Sequence, residues 1–330
     1  MNSLCYATYL VISFFPNASI YWLLLPSLPI SISGGWYTIN LLCCALVSDN
    51  SSNKTRSSRI SILQFAQALG ICSGYLVGDL VFKYYGYRMV FAISIAVHVF
   101  AILYSWIRFP WDFRKMPNEN GNILSPVKLS MTTLRDSKHR GKIALLCLAM
   151  VVCQFTKRAD SSVAYLYTRH QFGWGTDDYS IYVIVVVLCG AVGTSLVYPA
   201  LSLYLSVDDC ILGVMGSLSW INYHLVTGLA HHDWVLYFAA GLGVLGISTN
   251  VTVRSILSKT SDSKSTGGAL FSIFASIEAL VPLISSPIIA WLYSSTLDIF
   301  PGAIFLVTAG VFSINIFIFF GIFVNKKETR

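Results

Sequence analysis

Polar positions in this 330-residue chain are sparse and clustered, and the stretches between them are apolar for about the length of a membrane span. Reading apolar runs between polar breaks predicts ten helical spans: Leu4–Phe15, Ile20–Val47, Ile60–Val81, Met89–Ile107, Ile143–Tyr167, Tyr179–Leu205, Ile211–Ala230, Val235–Leu257, Gly268–Tyr293 and Phe300–Val324. The first is short for a span. It is also a poor signal peptide, because no basic segment precedes Leu4 and no small-residue cleavage site follows it. A membrane β-barrel would instead show alternating segments of about ten residues, which these unbroken runs exclude. The expected class is therefore all-α, a polytopic membrane helical bundle.

The connections are short except for Arg108–Lys142, a stretch rich in Pro, Asn and charge that lacks apolar periodicity. It divides the chain into a partial N-terminal bundle of four spans (1–107), a central loop (108–142), a C-terminal bundle of six spans (143–324) and a short tail (325–330). Two bundles joined by a long polar loop is the outline of a two-domain transporter.

Composition strengthens this reading. Hydrophobic residues make up 55% and charged residues only 11%, where a soluble domain carries about 25% charged residues. Mean hydropathy is +0.66. The net charge of +7 in a soluble protein would suggest nucleic acid, but here the distribution of the charges matters more. With the central loop placed inside, sixteen Lys and Arg fall on that side and three (Lys83, Arg88 and Arg169) on the other. Cytoplasmic loops retain positive charge, so both termini and the 108–142 loop are expected in the cytoplasm, and no nucleic-acid partner is implied. The sequon at Asn17 then faces outward and is the glycosylation candidate, while those at Asn50 and Asn53 face inward and that at Asn250 falls within a span. The eight cysteines lie in or beside apolar runs without metal-ligand spacing, so neither a metal nor a disulfide framework is expected.

Two stretches carry a resemblance. The first is Ala45-Leu46-Val47-Ser48-Asp49 with Ser51-Ser52, Arg56 and Arg59, followed by a glycine-spaced helix ending at Gly86-Tyr87. The second is Val253-Arg254-Ser255-Ile256-Leu257-Ser258-Lys259, then Gly268-Ala269-Leu270-Phe271-Ser272 and Glu278-Ala279-Leu280. In order and spacing, from about Gly34 to Phe323, the chain resembles the proton-coupled folate transporter family, solute carrier family 46 of the major facilitator superfamily. The resemblance implies a fold of twelve helices in two six-helix halves, with the ten spans here matching the third to the twelfth. The first two helices have no counterpart before Met1, an expectation that fits a partial chain or a short form. Gln64 stands where the folate-transporting member has a titratable glutamate, and the Ile20–Val47 span lacks an aspartate found there. Both departures argue against folate as the solute and against that route to proton coupling.

Few ionisable residues lie within spans, and each is a functional candidate because insertion of a charge costs about 2.5–3.5 kcal/mol. Arg254 occupies the position where the resemblance implies a substrate-associated arginine, and a guanidinium suits a carboxylate-bearing solute. Its alternative role is a helix-end Arg reaching for lipid phosphates. Lys157, Arg158 and Asp160 interrupt one span; they line a solute pathway, or Lys157 and Asp160 neutralise each other at i, i+3. Glu278 is the deepest acidic residue and a candidate for loading a proton, with pairing to Arg254 as the competing reading. His98 and Asp79 are further proton-coupling candidates, although a lone His such as His98 or His224 is more often a hydrogen-bonding partner. Gly70, Gly74 and Gly78 share one helix face and are expected to form a close packing interface. Pro26, Pro29 and Gly34-Gly35 are expected to bend their helix.

A secondary active transporter of a small organic, anionic solute is the leading expectation, with lipid and solute as partners and no cofactor beyond a proton gradient. A membrane enzyme requires convergent catalytic groups, and none is present. A non-transporting receptor or scaffold is the alternative. The membrane expected to hold it is the plasma or the lysosomal membrane.

Overall fold

The computed structural model describes residues 2–15, 19–49, 51, 56–108, 140–260 and 264–328, and every regular element among them is helical. Asn17 and most of the central loop lie outside the described residues. The elements are α1 (Asn2–Ile12), a 3₁₀ turn at Ile20–Leu24, α2 (Ser27–Ser33), α3 (Gly35–Asp49), α4 (Arg56–Arg108), α5 (Arg140–Phe172), α6 (Thr176–Val192), α7 (Asp209–Gly228), α8 (Asp233–Leu242), α9 (Ser248–Thr260), α10 (Lys264–Thr296) and α11 (Ala303–Glu328). The last helix continues beyond its apolar run into the segment read as a tail.

Among the described residues, four helical stretches are both long and apolar enough to cross a bilayer: Ile62–Arg108, Thr176–Ser202, Leu270–Thr296 and Ala303–Asn325. The other segments are shorter or interrupted by polar groups. Long helices such as α10 and α11 leave Leu283, Trp291, Phe317 and Phe320 well exposed. Apolar side chains at such density on the outside of a helical bundle are stable against lipid, where the helix itself satisfies every backbone polar group.

Two predicted spans are broken. Ile20–Val47 becomes the 3₁₀ turn, α2 and α3, with positive φ at Gly34 (71°) and Gly35 (52°), so the expected bend is a complete break. Val235–Leu257 becomes α8 and α9 with turns between them. Freed backbone groups at membrane depth need partners. Ser219 of α7 supplies them, since its Oγ donates to the Leu242 carbonyl (2.6 Å) and accepts from the Leu245 N–H (3.1 Å). Ile60–Val81 and Met89–Ile107 are two helices, the two halves of α4, separated by a kink at Gly86, whose φ of 72° lies outside the helical region.

The chain divides into two compact units. One holds the described residues of Met1–Asn40 and Ser73–Val127, the other those of Leu41–Cys72 and Lys128–Arg330. In the first unit, Tyr9 stacks on Phe91 (5.4 Å) and Arg88 lies over the Phe14 ring (4.6 Å), which ties α1 to the second half of α4. The second unit takes in part of α3 and the start of α4 besides the six C-terminal spans, a boundary different from the one at the central loop. Ile60 of α4 accounts for part of this, being buried with Tyr198, Leu212 and Val251.

Two apolar clusters fill the second unit. At the Arg140 end of α5, Ile143, Leu146 and Met150 pack with Val253, Leu257 and Phe319. At the Phe172 end, Val163 and Tyr167 pack with Trp174, Leu236, Ile289 and Phe305. Gln154, Lys157 and Asp160 fall between these clusters on α5.

Candidate functional site

Positions 154, 157 and 160 are spaced i, i+3, i+6, which places Gln154, Lys157 and Asp160 along one face of α5. The face has apolar packing above and below it, so these residues form a polar layer in the interior of the six-span unit. Each meets a different neighbour.

Gln154 belongs to a network centred on Glu278 of α10. Arg254 of α9 points inward rather than toward a headgroup, and its Nη2 forms an ion pair with Glu278 Oε1. Gln154 Nε2 donates to the same oxygen at 3.2 Å, and Arg254 Nη1 donates to Cys44 Sγ of α3 at 3.0 Å. Arg254 and Glu278 are both buried. Glu278 is thus paired with Arg254, the competing reading of the two given for it, and Arg254 is held in the interior.

Asp160 turns toward α7, where His224 Nδ1 lies 3.6 Å from Asp160 Oδ1. It does not pair with Lys157, so the neutralisation expected at i, i+3 is replaced by a contact between helices. His224 is 0% exposed, and neither of its ring nitrogens has a hydrogen-bond partner. Asp160 Oδ1, Thr227 Oγ1 and Tyr293 Oη are likewise buried without one. Nearby hydroxyls are paired: Tyr182 with Tyr223 at 2.9 Å, and Tyr167 donating to the Thr227 carbonyl at 2.9 Å.

Lys157 remains accessible to solvent and forms no ion pair among the described residues. It lies within electrostatic reach of Glu278 and Arg254. An accessible ammonium midway along a helix of a membrane-embedded bundle requires water or an anion beside it. Arg158, on the neighbouring face, donates from Nε to Ser286 Oγ of α10 at 2.8 Å.

The remaining sequence candidates lie elsewhere. His98 and Asp79 belong to the first unit. His98 Nδ1 is 2.8 Å from the Ser94 carbonyl, and its ring sits 5.1 Å from that of Tyr6. At the interface expected for Gly70, Gly74 and Gly78, a β-carbon added at any of the three would meet nothing within 4 Å among the described residues. A shared face makes close approach possible but does not supply a partner. The close approaches occur instead at Gly193 against Val244, Gly246 against Trp220, and Gly228 against Gly302. Among the described residues, no three His, Cys, Asp or Glu side chains converge as a metal set.

Sequence reading passed over Gln154 and the Cys44 thiol, and did not join Asp160 to His224. Gln154 was legible, since it lies one turn before Lys157 on the same face. The other two depend on which helices adjoin, and spacing along one helix carries no such signal.

The family model for the Major Facilitator Superfamily matches residues 3–219. A Drosophila melanogaster protein named probable peptidoglycan muropeptide transporter SLC46 is 27% identical over 323 residues, which are 94% of this chain and 62% of that protein. The chain thus spans less than two thirds of that relative's length. Among solved structures, the human organic anion transporter MFSD10 (TETRAN) aligns with a TM-score of 0.77 at 16% identity, over 96% of this chain and 74% of that one. The proton:xylose symporter XylE, bound to 6-bromo-6-deoxy-D-glucose, aligns with a TM-score of 0.71 at 15% identity, covering 97% and 78% of the two chains. The E. coli fucose:proton symporter FucP aligns with a TM-score of 0.68 at 14% identity, covering 96% and 80%. Likeness at these identities establishes the fold.

Proposed function

We infer the function from one premise: the chain belongs to the Major Facilitator Superfamily. It is an integral membrane protein, and we propose that it is a secondary active transporter that moves a small organic anion by alternating access. The observation that carries this reading is Lys157, an accessible cation on the polar face of α5 that forms no ion pair among the described residues. Arg254, the other cation of this network, is committed to Glu278, so Lys157 is the charge left for a solute carboxylate or phosphate. The Arg254–Glu278 pair acts as a fixed framework beside it. The curated relative and the anion-transporting neighbour are consistent with such a solute.

The test is uptake of a panel of radiolabelled di- and tricarboxylates into proteoliposomes carrying the chain. A charge-assisted contact contributes about 1.5–3 kcal/mol, so Lys157→Met lowers uptake roughly tenfold or more while Lys157→Arg retains most of it. Wild-type uptake no greater than that of empty liposomes overturns transport. Undiminished uptake by Lys157→Met overturns the site.

A further inference from the structure

Lys157 has a cationic neighbour with the same accessibility. Arg158, the next residue of α5, is also exposed and forms no ion pair among the described residues. We propose that Arg158, oriented by Ser286, is a second anion contact that makes the site discriminate solutes with two anionic groups from those with one, an inference that rests on the transport function proposed for the same site.

The seam between α5 and α10 places this residue. Gln154 Nε2 donates to Glu278 Oε1 of α10, and one turn further along α5 Arg158 Nε donates to Ser286 Oγ at 2.8 Å. Lys157 lies within electrostatic reach of Glu278, so both cations stand beside α10. Consecutive positions on a helix point about 100° apart, and the ammonium and the guanidinium therefore leave α5 in different directions. A single carboxylate meets one of two diverging cations well and the other poorly.

Ser286 sets how Arg158 is presented. A serine hydroxyl has one proton to donate, and that of Ser286 goes to the Pro282 carbonyl at 2.5 Å. Its lone pairs are left to receive the Arg158 Nε–H. A guanidinium carries its N–H donors in one plane, and with Nε held the edge formed by Nη1 and Nη2 remains. Two parallel donors on that edge match the two oxygens of a carboxylate. Among the described residues the Arg158 side chain has no hydrogen bond besides the one to Ser286.

The acids of the polar layer are engaged elsewhere. Glu278 is paired with Arg254, and Asp160 turns to His224 of α7. Two cations on adjacent residues repel each other until anions lie beside them. A solute with two carboxylates relieves both at once, one on Lys157 Nζ and the other on the Arg158 fork. A solute with one carboxylate leaves a cation without its partner, and the discrimination follows from that difference.

Binding and uptake are measured separately. Purified protein in detergent is titrated with unbranched dicarboxylates from succinate to pimelate and with the monocarboxylates of equal length. The rise in unfolding temperature gives the apparent affinity, since a ligand of the folded state stabilises it. Wild type binds the best dicarboxylate about tenfold more tightly than the matching monocarboxylate, the scale of one charge-assisted contact. Arg158→Gln brings this ratio close to one. Arg158→Lys leaves it intermediate, because an ammonium restores the charge without the fork. Ser286→Ala lowers the ratio several-fold, and Ser286→Thr, which keeps the hydroxyl, retains it. If Arg158 only ties α5 to α10, Arg158→Gln lowers the unfolding temperature without ligand and keeps the ratio, and that result overturns the second contact. A wild type that binds both classes equally overturns it as well. Uptake of the same acids into proteoliposomes follows the same ratio. Dicarboxylate binding that depends on Arg158 in a protein without uptake rejects the transport function and leaves the two-point anion site standing.

Discussion

At the scale of single residues, the buried Arg254–Glu278 pair tests how a charge survives inside this bundle. Taking two ions out of water is costly, and their attraction offsets the cost only when both are present. Removing one partner leaves the other uncompensated, a loss of about 3–5 kcal/mol, while replacing both with apolar groups of similar volume is close to neutral. Arg254→Met and Glu278→Met are each expected to lower the unfolding temperature of detergent-solubilised protein strongly, and the double variant to recover most of the loss. Equal, additive losses would show that the two side chains act separately. Lys157, accessible and without an ion pair among the described residues, should leave the unfolding temperature unchanged when replaced by Met, which separates its proposed role in binding from the framework role of the pair. The sequence exposed these residues because a charge inside an apolar run is conspicuous. It could not assign their partners, since Asp160 has Lys157 within reach along its own helix and His224 only across a helix interface.

Elements were legible to the extent that lipid imposes length and apolarity on them. Each apolar run is helical over most of its length, two of them interrupted by turns, and the break at Gly34-Gly35 was signalled by the glycines themselves. The turns between α8 and α9 were not, because Gly241, Gly243 and Gly246 sit in an uninterrupted apolar run and the break depends on Ser219 of another helix to satisfy its backbone. Glycines illustrate the same limit. The regular stripe at Gly70, Gly74 and Gly78 has no neighbour within 4 Å of an added β-carbon among the described residues, whereas Gly228 and Gly302, far apart in sequence, bring the end of α7 against the residue preceding α11. Gly302→Leu is expected to cost about 1–3 kcal/mol by overpacking, and Gly74→Ala to stay within about 0.5 kcal/mol. Thermal unfolding in detergent compares the two directly, and a larger loss at Gly74 would show that a neighbour does pack on that face.

For the whole molecule, the distribution of charge carries an expectation of orientation. Sixteen Lys and Arg fall on the side of the central loop and three on the opposite side, with the remaining cations inside the spans read from the sequence. Each basic residue flanking a span resists translocation, so an excess of this size favours a cytoplasmic 108–142 loop. With the ten spans read from the sequence, both ends of the chain are then expected on that same side. On this expectation Asn17 faces the compartment where the glycosylation machinery acts, while Asn50 and Asn53 face the cytoplasm. Expressed in a eukaryotic cell, the chain is expected to lose mass on glycosidase treatment, and Asn17→Gln to abolish that shift while Asn50→Gln and Asn53→Gln do not. A C-terminal epitope tag becomes reachable by antibody only after the membrane is permeabilised. Glycan at Asn50 or Asn53, or a tag stained in intact cells, would invert this orientation and with it the reading of the central loop as cytoplasmic.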